Sequence, residues 1–221
     1  MSAIISDHFL HAIRTSAPYG VAARHLARTD ANIVGIIGSG RYARGMAQAI
    51  CAVRPISRIQ VYSRDPANVQ RFCDDMRAAL GIEVVPCTSA REAVRGADIM
   101  VTATSGNTIV FEADWLTPGT LIMSLAPGEL GEDVVLRSRV YLSAPEQVLG
   151  DDPPRKPFNS LIASGRFGPN DVAADICDVV TGKKPGRGSD QEIILYESAG
   201  LALLDVGIGQ WVYDRARRLG L

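Results

Sequence analysis

The chain has 221 residues, 47% of them hydrophobic and 21% charged, with a formal net charge of −1. A chain of this length buries a sizeable core and makes one or two domains. The charge is nearly balanced, with no basic run and no aromatic-basic alternation, so nothing favours binding to nucleic acid or an anionic membrane.

The N-terminal MSAIISDHFLHAIR has no cationic start ahead of an apolar core, so no signal peptide is expected. In DHFLHAIRTSAPYGVAARHLAR the apolar residues Phe9, Leu10, Ile13, Val21 and Leu26 recur at helical intervals, and Pro18 is expected to kink or divide that helix. NIVGIIG is an apolar run ending in glycine, which reads as a buried parallel strand. RYARGMAQAICAV follows as a helix closed by Pro55, and RIQVYS as a second strand. DPANVQRFCDDMRAAL reads as a helix capped by Asp65, with Pro66 in its first position and Gly81 as its stop. IEVVPC is a strand, SAREAVRGA a helix and DIMVTATS a strand, while TLIMSLA and RVYLSA are two more strands. Strands alternating with helices predict an α/β fold, a Rossmann-like doubly wound parallel sheet with right-handed crossovers.

From about Pro145 to Asp171 prolines and glycines dominate, and the stretch reads as a site-lining loop or a packed irregular connection. NDVAADICDVVTG is predicted as a helix capped by Asn170, KKPGRGSD as an exposed turn and EIILYES as a strand. AGLALLDVGIGQWVYDRARRLG is the last helix, and Asp205 and Gln210 keep it from spanning a bilayer. Gly207 and Gly209 each cost this helix about 1 kcal/mol relative to alanine and point to close packing or a break. Cys51, Cys73, Cys87 and Cys177 form no CxxC pair and lie mostly in apolar segments, as expected of buried, reduced thiols in a cytoplasmic protein.

The chemistry is carried first by a glycine-rich turn. Gly38, Gly40 and Ala43 make G-x-G-x-x-A between a strand and a helix, with Ser39, Arg41 and Tyr42 at the variable positions. The first glycine permits a tight turn, the second lets backbone N–H groups approach a pyrophosphate, and the small third residue lets helix and strand pack closely. The helix N-terminus adds partial positive charge. At the end of the second strand Ser63 and Arg64 can bind a 2′-phosphate, which favours NADP(H), while Asp65, one residue on, leaves NAD(H) possible. Thr104, Ser105 and Asn107 follow the fourth strand and are placed to face the cofactor, or else serve only turn chemistry. His8 and His11 share a helix face, but no third ligand is in sight, so no metal site is expected. No G-x-S-x-G motif or cysteine–histidine pairing points to a nucleophile.

Five segments in order, AIRTSAPYGVAARHLAR, GIIGSGRYARGMAQAI, VYSRDPANVQRF, ADIMVTATSGNTIVFEADWLTPGT and EIILYESAGLALLDV, resemble the ornithine cyclodeaminase/mu-crystallin family. The resemblance implies NAD(P) hydride chemistry on amino acids or cyclic imines. It places Arg14 where the family binds the substrate carboxylate, and Glu197, Ser198 and Gly200 where the chain nears the nicotinamide. It implies three parts: 1–30 as a helical stub of the family's substrate domain, 31–190 as the NAD(P)-binding domain, and 191–221 as a strand and helix packing back on the stub. Most of the family's N-terminal substrate and dimerisation domain is expected to be missing. The family's cyclodeaminases carry an aspartate after the fifth strand. Here that segment reads SLAPGELGED and offers only Glu129, Glu132 or Asp133.

The expected function is NADP-dependent reduction of a C=N bond in a small amino-acid-like substrate. Arg14 would hold a carboxylate, and Ser105 or water would supply the proton. The alternatives are a cyclodeaminase-like lyase, a non-catalytic NAD(P)-binding module, or half of a split complex. The expected partners are a small amine or imine bearing a carboxylate, and either a second copy of the chain or a second polypeptide supplying the missing domain.

Overall fold

Short apolar runs with no polar face form strands that are covered on both sides. The computed structural model shows eight of them among the described residues, which are 4, 5, 7–106, 108–151 and 155–220, with only the backbone described for 7–9. The strands are β1 (Ile33–Ile37), β2 (Arg58–Tyr62), β3 (Glu83–Pro86), β4 (Ile99–Thr102), β5 (Leu121–Ser124), β6 (Arg139–Ser143), β7 (Val172–Asp175) and β8 (Ile194–Ser198). All pair in parallel, in the order β3-β2-β1-β4-β5-β8-β6-β7. Every residue of β4, β5 and β8 is buried, as a central strand covered on both faces requires. The sequence order reverses direction between β1 and β4, and the carboxyl ends of strands at such a switch open onto a crevice.

Two apolar layers cover the sheet. One packs Leu26, Met46, Ile50, Phe72 and Tyr196 together, and the other packs Phe111, Val134, Leu142, Phe158 and Leu195. The first layer is built by α1 (Asp7–Leu26), α2 (Arg41–Cys51) and α3 (Pro66–Leu80), and the second by the short α4 (Ala90–Val94) and α5 (Glu132–Arg137). The last strand of the chain, β8, lies inside the sheet between β5 and β6. Asp65 caps α3 by accepting from the Ala67 amide at 2.9 Å, and Gly81 ends the helix in the left-handed conformation, both as the sequence predicts.

Three local expectations are corrected. Pro18 does not divide α1, which runs unbroken through it. Close packing of the flanking turns onto α2 holds both halves: a Cβ at Gly45 would stand 2.3 Å from Ser16 Oγ. The segment expected to be one helix from Asn170 instead forms a 3₁₀ turn, Pro169–Asp171, then the edge strand β7 and α8 (Ile176–Val180). The cap is Asp175, whose side chain accepts from the Cys177 amide, because residues 172–175 gain more by pairing with β6 than by starting the helix early. In α9 (Ala202–Arg218), Gly207 and Gly209 neither break the helix nor pack tightly; a Cβ at Gly207 would meet nothing within 4 Å.

The proline-rich stretch contains α6 (Pro145–Gly150) and α7 (Phe158–Ala163). All four cysteines are free; Cys73 and Cys87 are buried, Cys51 is half-buried, and Cys177 is exposed, contrary to expectation for that thiol. No helix among the described residues is long and apolar enough to cross a membrane.

Candidate active site

The turn between β1 and α2 lies where a Rossmann-like sheet needs it. Gly38 has a φ of +117°, and a Cβ there would stand 2.2 Å from the carbonyl oxygen of Ala103, so glycine alone fits where the chain leaving β4 crosses. Its amide donates to Tyr62 O at 2.8 Å, tying the turn to the end of β2. Gly40 is the N-cap of α2 and brings no side chain to it; the first turn of α2 has no acidic residue. A Cβ at Gly40 would meet nothing within 4 Å, because the position faces an open cleft of about 1160 Å³. An uncapped helix N-terminus behind a glycine that leaves room for a pyrophosphate fits a dinucleotide. Ala43 is fully buried, which permits the close helix–strand contact.

The cleft is strongly basic. Arg41, Arg44, Arg64 and Arg71 line it, with Asp65 as the carboxylate among its lining residues. Two of the arginines are engaged. Arg44 pairs with Asp75 at 3.0 Å, hydrogen-bonds to Ser39 O and stacks on Phe72. Arg41 lies over the Tyr42 ring and donates to its hydroxyl at 2.9 Å. Asp65 is engaged too, accepting from the Ala67 amide and, at 2.7 Å, from Asn68 Nδ2. Arg64 and Arg71 have no hydrogen bond or ion pair among the described residues and face the cleft beside Ser63.

Thr104 and Ser105 line the opposite wall. Asn107, expected beside them, lies outside the described residues. Ser105 is exposed at the cleft. The hydroxyl of Thr104 turns inward, and both it and the Thr104 amide donate to Glu129 Oε1 at 2.6 Å. The other oxygen of Glu129 accepts from the Ala126 amide at 3.0 Å. Glu129, fully buried, therefore braces the cleft wall from behind. The two other carboxylates of SLAPGELGED lie elsewhere: Glu132 pairs with Arg166, and Asp133 accepts from the Ala113 amide at 3.2 Å.

Arg14 lines a separate, small cleft of about 90 Å³ with Thr15, Tyr19, Leu125, Arg155 and Ser198. Its Nε lies 2.6 Å from Asp205 Oδ1 on α9, and its Nη2 lies 3.1 Å from His11 Nδ1. The His11 ring meets the ring of Tyr42, a residue of the large cleft, with centroids 5.8 Å apart, so this chain of side chains stands between the two clefts. Arg155, from the proline-rich stretch, donates to Leu125 O at 2.7 Å and Ser198 O at 3.2 Å, and its Nε lies 2.6 Å from Glu197 Oε1.

Glu197, in register with Ser124 of β5 and Leu142 of β6, is 1% exposed, and neither of its oxygens accepts a well-formed hydrogen bond. Burial pushes its carboxyl up to about 7; Arg155 opposes the shift, and the charge of Glu129 adds to it. Burial also raises the Tyr19 phenol. Sequence reasoning missed Arg155 and Arg71. Arg155 stands among prolines with no periodicity to place it, whereas Arg71 lies in the second turn of α3, the helix that follows Arg64, and was readable. Among the described residues no group of three or more metal-ligating side chains comes together.

Residues 1–219 match the model of the ornithine cyclodeaminase/mu-crystallin family. The chain belongs to that family. It is 32% identical over 99% of its length to a Delta(1)-pyrroline-2-carboxylate reductase of Bacillus cereus, and spans 68% of that relative. It is 32% identical over 93% of its length to an ornithine cyclodeaminase of Agrobacterium fabrum, spanning 57% of it. The solved structure of Thermococcus litoralis Delta(1)-pyrroline-2-carboxylate reductase with NADH and L-proline superposes with a TM-score of 0.90 at 34% identity, covering 97% of this chain and 67% of that one. The family's sheet and its enzymatic character are thus those of this chain.

Proposed function

We propose that the chain is an NADP(H)-preferring oxidoreductase that reduces the C=N bond of a small imine bearing a carboxylate. The observation that carries this reading is the placing of two clefts on either side of the Tyr42 and His11 rings: a large basic cleft along the glycine turn, and a small cleft walled by Arg14. A bound nicotinamide dinucleotide supplies the hydride to the imine carbon. The protein's part is to hold both reactants and to place charge. The glycine turn and the N-terminus of α2 bind the pyrophosphate. Ser63, Arg64 and Arg71 bind the 2′-phosphate, and the commitment of Asp65 to its helix cap argues against its service to an unphosphorylated ribose. The guanidinium of Arg14 binds the substrate carboxylate as a planar fork. A proton must reach the imine nitrogen, and the exposed hydroxyl of Ser105 or water is at hand on the cofactor side.

Support for imine reduction over cyclodeamination comes from the carboxylates after β5. Glu129 accepts from Thr104 N and Oγ1, Ala126 N and Ser124 Oγ, Glu132 pairs with Arg166 and Asp133 accepts from the Ala113 amide, so each carboxylate of that segment is already engaged. The test is a fluorescence titration with NADPH and NADH, followed by addition of pyrroline-2-carboxylate and piperideine-2-carboxylate. Tighter binding of NADPH and loss of its absorbance with either imine is the expected result. Binding with no oxidation of the cofactor would instead mark a non-catalytic module or one half of a split complex.

A further inference from the structure

We propose that the cleft between Arg14 and Arg155 takes up its carboxylate ligand together with a proton, and that Glu197 is the group that receives it. The inference rests on the reading that this cleft binds a small carboxylate. Arg155 is in the cleft wall and is the single ion-pair partner of Glu197 among the described residues. Two of its N–H groups donate to Ser198 O and Leu125 O, its Nε faces Glu197 as an ion pair, and a guanidinium carries five N–H groups. Two N–H donors therefore remain for an anion entering beside Leu125 and Ser198.

An anion bound there meets Arg14, whose charge Asp205 already balances, and shares with Glu197 the one cation that balances that carboxylate. It also adds a second negative charge next to a carboxylate that cannot turn to water. Like charges in a dry site are relieved by protonation of one of them. The other groups that face Glu197 do not relieve the crowding. Glu129, from the turn after β5, is itself acidic, and Tyr19, from α1, is a phenol whose ionisation burial opposes. The flanking strands offer Ser124 and Leu142, neither of them charged. Glu129 is held by two amides and two hydroxyls, whereas Glu197 has no such donors, so Glu197 is the carboxylate that gives way. The free carboxyl already titrates near neutrality, so a modest added charge is enough to move it.

The experiment is calorimetric titration of the full chain with pyrrole-2-carboxylate, with and without NADP+, in buffers of different protonation enthalpy. This probe has no basic nitrogen, so its own proton count is nil near neutrality. At about pH 8 the expected uptake is close to one proton per anion bound, falling toward zero below about pH 6. Affinity is expected to weaken about tenfold per pH unit above about pH 7. Glu197→Gln, isosteric and uncharged, is expected to bind with no uptake and with a flat pH profile. Binding without a net proton in the wild-type chain, or uptake that persists in Glu197→Gln, would overturn the proposal. Failure of the probe to bind would overturn it as well. The imine turnover assay reports separately on the reading of function, so the two fail independently.

Discussion

The carboxylate of Glu129 receives both the amide and the hydroxyl of Thr104 at 2.6 Å, and so fixes the wall of the large basic cleft from inside the protein. Glu129→Gln keeps the shape but turns an NH₂ group toward donors. A buried donor left facing a donor costs about 1–3 kcal/mol, and urea unfolding should show a loss of that size. NADPH affinity should fall with it, because the wall of residues 104–106 loses its brace. A variant as stable as the wild type would show that the bond is dispensable.

Gly38 and Gly40 should respond differently to the same change. Gly38→Ala drives a methyl into the Ala103 carbonyl and imposes a left-handed φ on alanine. The loss of stability should be on the order of 3 kcal/mol or more, visible in the thermal midpoint. Gly40→Ala meets empty space and should leave stability within about 1 kcal/mol, yet its methyl enters the pyrophosphate's room and should weaken NADPH binding at least about tenfold.

Arg64→Ala and Arg71→Ala test the 2′-phosphate subsite. A charge-assisted bond contributes about 1.5–3 kcal/mol, so NADPH affinity should fall roughly 10- to 100-fold while NADH affinity barely changes. Equal losses for both nucleotides would place the two arginines elsewhere on the cofactor.

Glu197 also makes stability depend on pH. Its folded carboxyl is raised from 4.5 to about 7, so between those values the native state holds a proton that the unfolded chain has lost. The contribution is full below about pH 4.5 and disappears as pH rises through about 7, amounting to about 3 kcal/mol at most. Urea midpoints of the wild type should decline across that window relative to Glu197→Gln, in which this slope is absent. A wild type that runs parallel to the variant would show that Glu197 titrates in its ordinary range.

Much of this arrangement was legible in the sequence. The glycine turn, the strand before it and the helix after it are set by local rules of backbone freedom and apolar periodicity, and all three stand where expected. The cap at Asp65 was equally local. Strand β7 was not legible, because VAAD has no alternation and adjoins a helical pattern; only its pairing with β6 makes it a strand. Of the two outcomes expected at Pro18, a division of the helix does not occur, because the packing of α1 on α2 holds both halves. The small cleft was half visible. Arg14 came from a recognisable segment, and Glu197 from its place at a strand end, but their meeting with Arg155 depends on how the proline-rich stretch folds back over β5 and β8.

Helix α9 has no buried residue along its whole length, yet it carries Asp205, the carboxylate that holds Arg14. A segment with so little covered apolar surface belongs to the first units to open in native-state hydrogen exchange. Each opening frees the Arg14 guanidinium from its internal anion without unfolding the sheet beneath. The orientation of that guanidinium is therefore set by a local equilibrium, the docking of one exposed helix, rather than by the stability of the whole protein.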